Sequence, residues 1–130
     1  MKIGEAAARS GVSARMIRHY EGIGLIPTPL RRDSGYRDYD LAEVRRLMFI
    51  ANARDLGFAI DEIRALLDLW DNDHRASADV KALALAHAGE LGRKVAQLQQ
   101  MQRELLTLAE RCHGDDRPEC PIMERIAGSA

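Results

Sequence analysis

Residues 10–27 read SGVSARMIRHYEGIGLIP, and the fold turns on how this run is organised. Within Ser10-Gly11-Val12-Ser13, Gly11 supplies a turn and Ser13 is a good N-cap, because its hydroxyl can accept a backbone N–H that a first helical turn leaves unpaired. Upstream, Ile3, Ala6, Ala7 and Ala8 mark a short helix with an apolar face that starts just after Lys2. Downstream, a second helix carries Arg15, Arg18 and His19 beside Tyr20, while Val12, Met16, Ile17 and Ile23 are expected to face inward. Two short helices joined by a tight glycine turn, the second studded with arginine, is the plan of a DNA-reading helix-turn-helix. Taken alone, the stretch also suits an ordinary helical hairpin with solvated arginines.

The chain leaves the second helix at Leu25-Ile26-Pro27, and residues 31–37, RRDSGYR, read as a hairpin tip. Asp33-Ser34-Gly35 is turn chemistry, and the flanking residues can pair as two short strands. Three arginines and a tyrosine around one turn make a wing suited to bidentate phosphate contacts. A helix-turn-helix followed at once by a basic wing is more specific than either part. The candidate DNA-binding residues are therefore Ser13, Arg15, Arg18, His19 and Tyr20 with Arg31, Arg32, Tyr36 and Arg37.

The runs IRHYEGIGLIP (17–27) and GYRDY (35–39) together resemble the winged-helix head of the MerR family of effector-responsive transcription regulators. Near the C-terminus, CHGDDRPECPI (112–122) resembles the metal loop of that family's copper-efflux (CueR/HmrR-like) branch, so the likeness covers nearly the whole chain. The resemblance implies a regulator whose dimer sits on an overlong promoter spacer with or without metal. Metal binding then makes the dimer bend and untwist the double-stranded DNA, so that RNA polymerase reads both promoter elements.

Composition agrees with such a role. The 130 residues carry 19 Lys/Arg and 20 Asp/Glu, a net charge of −1 that conceals an uneven distribution. Residues 1–37 hold seven bases against three acids, a balance of +4, and the rest of the chain carries −5. A basic head on an acidic body is the footprint of a local nucleic-acid face, since only the contact surface has to neutralise phosphates. No apolar run resembles a signal peptide or a membrane span, which leads to the expectation of a cytoplasmic protein with no membrane partner. In a reducing compartment, two cysteines are better read as ligands or free thiols than as a disulfide.

Beyond the head, Asp40 is placed to cap a helix with Glu43 as its capping-box partner. Leu41, Val44, Leu47, Met48, Ile50 and Ala51 form its expected inward stripe, and the helix should stop near Leu56-Gly57. A further amphipathic helix over 60–70 presents Ile63, Leu66, Leu67 and Trp70. Arg54 is kept as an additional DNA-binding candidate, whereas Arg45 and Arg46 read as arginines of a solvated face. The polar segment 71–76 is a linker. From 77 to 111 no proline interrupts, and a 3.5-residue period runs through Val80, Ala84, His87, Leu91, Lys94, Leu98, Met101, Leu105 and Leu108. Such a helix would be about 50 Å long, more than this head can cover. Its stripe needs a second copy, which predicts a homodimer presenting two heads to a palindrome. The expected fold is mainly α: a winged helix-turn-helix head with a small β-hairpin wing (1–70), the linker (71–76), a long antiparallel coiled-coil dimerisation helix (77–111), and a metal-binding loop with a short C-terminal helix (112–130).

Cys112 and Cys120 bracket a loop rich in Gly, Asp and Pro, and Pro121 begins the short helix that follows. Two thiolates make a poor Zn²⁺ site, since zinc takes four ligands, but they suit a soft monovalent ion such as Cu(I). A divalent ion would need more ligands, from His113, His74 or a residue near the start of a partner's long helix. Spacing alone leaves metal binding, an oxidative disulfide and two inert thiols open. The resemblance narrows this: branches that sense divalent ions place a cysteine at the start of the long helix, where this chain has Ser77, which implies a sensor of Cu(I), with Ag(I) or Au(I) possible. Ser77 and Lys81, one turn in, would favour a buried anionic cluster through the helix dipole, and the resemblance sets that helix end over the partner's loop. No Cys/His-rich tail of the kind some relatives carry is expected, and a two-thiolate site does not require one. His113 reads as a surface residue. Two other functions stay open: a redox sensor of the same family using Cys112 and Cys120, and a Cu(I)-binding protein without specific DNA binding. No Ser/His/Asp set, paired carboxylates or phosphate-binding glycine loop points to an enzyme.

Overall fold

The computed structural model describes residues 1–28, 35 and 37–128. Among them six helices follow one another: α1 (Ile3–Ser10), α2 (Ala14–Gly22), α3 (Leu41–Asp55), α4 (Ile60–Asp71), α5 (Ser77–Arg111) and α6 (Pro121–Ala127). The mainly helical class is therefore as expected. Two compact units are present, Met1–Val80 and Lys81–Ala130. The expected wing tip, with Arg31, Arg32, Asp33, Ser34 and Tyr36, lies outside the described residues.

Local chemistry sets the helix ends in the first unit. Gly11 takes φ +76° and donates its N–H to Ala7 O at 3.0 Å, a left-handed C-cap that a residue with a Cβ adopts only at a cost. The Ser10 hydroxyl accepts the Val12 N–H at 3.1 Å, and the Ser13 hydroxyl accepts the Met16 N–H at 3.2 Å. Asp40 caps α3 through the Glu43 N–H at 2.8 Å, while the Glu62 carboxylate accepts the Ala59 N–H at 2.9 Å ahead of α4.

The core of this unit joins all four of its short helices. Ile17 of α2, Leu25 and Ile26 after it, Tyr39, Leu47 and Ile50 of α3 and Ile63 of α4 are sealed from solvent. Each such side chain contributes roughly 1.5–3 kcal/mol of burial. Helix α3 is central, packing against α1 on one side and α4 on the other. Four residues expected to face inward do not: Met16, Leu41, Met48 and Trp70 are exposed. Ala53 and Phe58 take core positions instead. On a helix of 3.6 residues per turn the apolar stripe is wider than the arc that packs, so residues at its margin are left outside. Trp70 meets Phe49 edge-on at 4.3 Å across the rim.

In the second unit, α5 keeps its apolar stripe open. Leu91, Val95, Leu98, Met101 and Leu105 are all exposed, whereas His87, expected at the seam, is buried. Helix α6 begins with Pro121 and is tied to α5 by Arg125 and Glu104 at 2.5 Å. Among the described residues no helix is long and apolar enough to cross a membrane.

Candidate nucleic-acid interface and metal centre

Helix α2 is rooted by Ile17 and presents the opposite face outward. Arg15, Arg18 and His19 are exposed on it, and Ser13 at its N-terminus is exposed as well. Tyr20 is a correction: the ring proposed to face DNA is buried in the core and supports α2 from behind. The exit from α2 is held by arginines the sequence reading did not single out. Arg64 donates to Ile23 O at 3.0 Å, and Arg46 donates to Leu25 O at 3.3 Å and pairs with Asp71 at 2.8 Å. Their partners are backbone carbonyls and an acid far along the chain, which no local pattern announces. Arg54 is exposed, but its guanidinium also donates to Phe58 O at 3.1 Å and closes the end of α3.

Arg37, a wing candidate, does not stand free in solvent. Its guanidinium pairs at 2.8 Å with Glu21, the last buried residue of α2. The same carboxylate accepts the Tyr39 hydroxyl, whose pKa is pushed up to about 12 by burial and then by Glu21. Tyr39 in turn donates its N–H to Met1 O at 2.8 Å, and the terminal amine of Met1 pairs with Asp38 at 2.7 Å. Arg37 and Arg18 line one cleft of about 790 Å³, bounded by Met1–Glu5 and Gly35. The head therefore carries two guanidinium groups on one concave surface, a geometry suited to phosphate oxygens.

Above that network sits Glu43. Its N–H donates to Asp40, but one carboxylate oxygen is buried without a hydrogen bond, so the expected capping box is only half formed. Burial, followed by the neighbouring charges of Asp40, Glu21 and Asp38, pushes its pKa up to about 7, and the terminal amine offsets part of this.

The second candidate site is the loop between α5 and α6. Cys112 and Cys120 are both half-buried and free. Cys112 leaves α5 through an N–H bond to Ala109 O at 3.2 Å. The sulfur of Cys120 caps α6, accepting the Met123 N–H at 3.4 Å, so one prospective ligand atom is fixed by a helix end. Between them Asp115 accepts the Arg117 N–H at 3.0 Å and pairs with its guanidinium at 2.8 Å, and Arg117 holds the Asp115 carboxyl below its ordinary value. This turn stiffens the loop from within. Two soft sulfur donors on one short loop fit a monovalent thiophilic ion. His113 is exposed on the same loop. Ser77 at the start of α5 and Lys81 one turn in are both exposed.

Comparison with known proteins gives consistent matches. The family described as MerR HTH family regulatory protein matches residues 1–70, and the one described as MerR, DNA binding matches residues 44–108. The chain is 57% identical over 131 residues to heavy metal-dependent transcription regulator 2 of Rhizobium meliloti (strain 1021), spanning 100% of this chain and 89% of the relative. It is 41% identical over 128 residues to the HTH-type transcriptional regulator CueR of Yersinia pestis, spanning 98% and 92%. The crystal structure of the transcription regulator PbrR691 from Ralstonia metallidurans CH34 in complex with lead(II) matches with a TM-score of 0.84 at 34% identity, over 97% of this chain and 98% of that one.

Proposed function

The chain belongs to the MerR family of helix-turn-helix regulatory proteins, and from that premise we propose that it is a dimeric, metal-responsive transcriptional activator that answers Cu(I). Ag(I) and Au(I) are the other ions suited to the same thiols. Response to a heavy metal draws on kinship with a regulator named as heavy metal-dependent, and copper draws on likeness to CueR together with the donor chemistry. The observation that carries the reading is the pair of free, half-buried thiols Cys112 and Cys120 at the two ends of one loop. Ser77 supports it, standing at the start of α5 where the resemblance puts a cysteine in divalent-ion sensors.

In this reading residues 1–70 bind DNA, 71–76 link, 77–111 dimerise and 112–130 sense metal. Helix α2, with Ser13, Arg15, Arg18 and His19, enters the major groove, and Arg31, Arg32, Tyr36 and Arg37 with Arg54 hold phosphates. Two heads in one dimer read two halves of a palindromic operator within an overlong spacer. Bending and untwisting that spacer costs several kcal/mol, which the phosphate contacts offset. The switch works only if the distorting conformer binds the ion more tightly than the resting one. RNA polymerase then engages both promoter elements, and the genes switched on serve copper efflux and detoxification.

Substitution of the thiols tests this. Cys112→Ser and Cys120→Ser should each abolish Cu(I)-dependent transcription in vitro while operator binding persists. A fully inducible Cys112→Ser protein would remove the loop from the mechanism.

A further inference from the structure

A buried acid in the middle of a DNA-binding head needs a reason. Glu21 sits in the last turn of α2, with 4% of its side chain exposed, three residues after Arg18. A carboxylate out of water is costly unless it is paired and hydrogen-bonded, and its charge opposes approaching phosphates. Here a cation and a donor are both supplied: Arg37 pairs with its Oε2 at 2.8 Å, an ion pair without hydrogen-bond alignment, and the Tyr39 hydroxyl donates to its Oε1. Tyr39 is itself fixed by Met1, so the partner that orients Glu21 cannot drift. One terminal nitrogen of Arg37 is engaged by Glu21. A guanidinium has five N–H donors, so others remain for a second acceptor. Its side chain is 30% exposed, and it opens into the cleft that Arg18 also lines.

We propose that Glu21 is a positioning residue for DNA binding: it holds the Arg37 guanidinium beside Arg18 so that Arg37 meets the phosphate backbone without a search through rotamers. Arg37 pays less conformational entropy on binding because its fork is already set. The proposal rests on the reading of residues 1–70 as a DNA-binding head.

The test is a double-mutant cycle on the full-length dimer, using a duplex selected by the wild-type protein from random-sequence DNA and read across a salt series. Arg37→Ala should weaken binding about tenfold and make the slope of log K against log[salt] shallower by about one, the loss of one phosphate contact. Glu21→Gln keeps an acceptor for Tyr39 but releases Arg37. It should reproduce both changes although Arg37 is still present, and Arg37→Ala should add nothing further in that background. A role confined to folding would lower thermal stability and leave the salt slope of the folded protein unchanged. Additive losses, a wild-type slope in Glu21→Gln, or a gain in affinity on releasing Arg37 would each overturn the proposal. Should Glu21→Gln fail to fold, Glu21→Asp carries the same test: it keeps the charge but draws the carboxylate back from Arg37 by one methylene, and should give the weaker binding and shallower slope with Arg37 still present, while a wild-type slope would overturn the idea. A wild-type dimer that shows no salt-dependent duplex binding would instead refute the DNA-binding reading, and the two failures are distinguishable.

Discussion

Glu43→Gln should stabilise the head at alkaline pH and leave it unchanged in acid. The carboxyl is half-buried at the start of α3, carries an oxygen without a hydrogen bond, and faces the carboxylates of Asp40, Glu21 and Asp38. Its pKa rises from an ordinary 4.5 to about 7. The folded protein therefore binds a proton there that the unfolded chain has already released. The associated stability is fully present below pH 4.5 and is lost as pH rises through 7. At 1.36 kcal/mol per pH unit the full penalty above pH 7 is bounded at about 3 kcal/mol. Because the side chain retains access to water, screening reduces the expected effect to about 1–2 kcal/mol. Glutamine keeps the shape and the N–H bond to Asp40 but has no charge to desolvate. The assay is urea unfolding of wild type and Glu43→Gln at equal protomer concentration from pH 4 to pH 8.5, since dimer stability depends on concentration. The two curves should coincide below pH 4.5, separate progressively in favour of glutamine as pH rises, and reach their full separation above pH 7. A variant equal to or less stable than wild type at pH 8 would mean that Glu43 is charged and paired, and would refute the reasoning.

Other substitutions probe separate parts of the account. Arg18→Ala should weaken operator binding about tenfold with or without metal, measured by fluorescence anisotropy, and should leave the far-UV circular dichroism unchanged. Ile17→Ala, at a fully buried site of α2, should cost about 2–5 kcal/mol in denaturant unfolding. Leu98→Glu, in the open stripe of α5, should convert the dimer to monomer in sedimentation and abolish operator binding with it. A Leu98→Glu protein that remains dimeric would place the interface off this stripe.

The parts of the fold written in local chemistry were legible in the sequence. Gly11, Ser13, Asp40 and Pro121 announce helix ends because a cap or a fixed φ acts within three residues. Residues 77–111 read as one helix because nothing interrupts them, and α5 spans Ser77–Arg111. Burial was less legible. Tyr20 was read with its arginine neighbours as a contact residue, yet on a nine-residue helix one position decides between groove and core, and the core took it. Met16, Leu41, Met48 and Trp70 show the same ambiguity from the other side. The Glu21–Arg37–Tyr39 network brings together residues 16 and 18 positions apart, and only the return of the chain past α2 makes it visible. Nothing in the local pattern around Glu21 marks it as buried. On the thiol loop, spacing marked Cys112 and Cys120, but not the capping role of the Cys120 sulfur, since cysteine is an uncommon N-cap.

The most direct test of the central claim is a competition titration of the reduced dimer with Cu(I), repeated with Zn²⁺ and Pb²⁺, with transcription from its operator read in parallel. The account predicts one Cu(I) per loop, tight binding that is lost in Cys112→Ser, and induction by Cu(I) but by neither divalent ion. Induction by Zn²⁺ or Pb²⁺ at lower free concentration than Cu(I) would contradict the two-thiolate reading and implicate a further ligand such as His113 or His74.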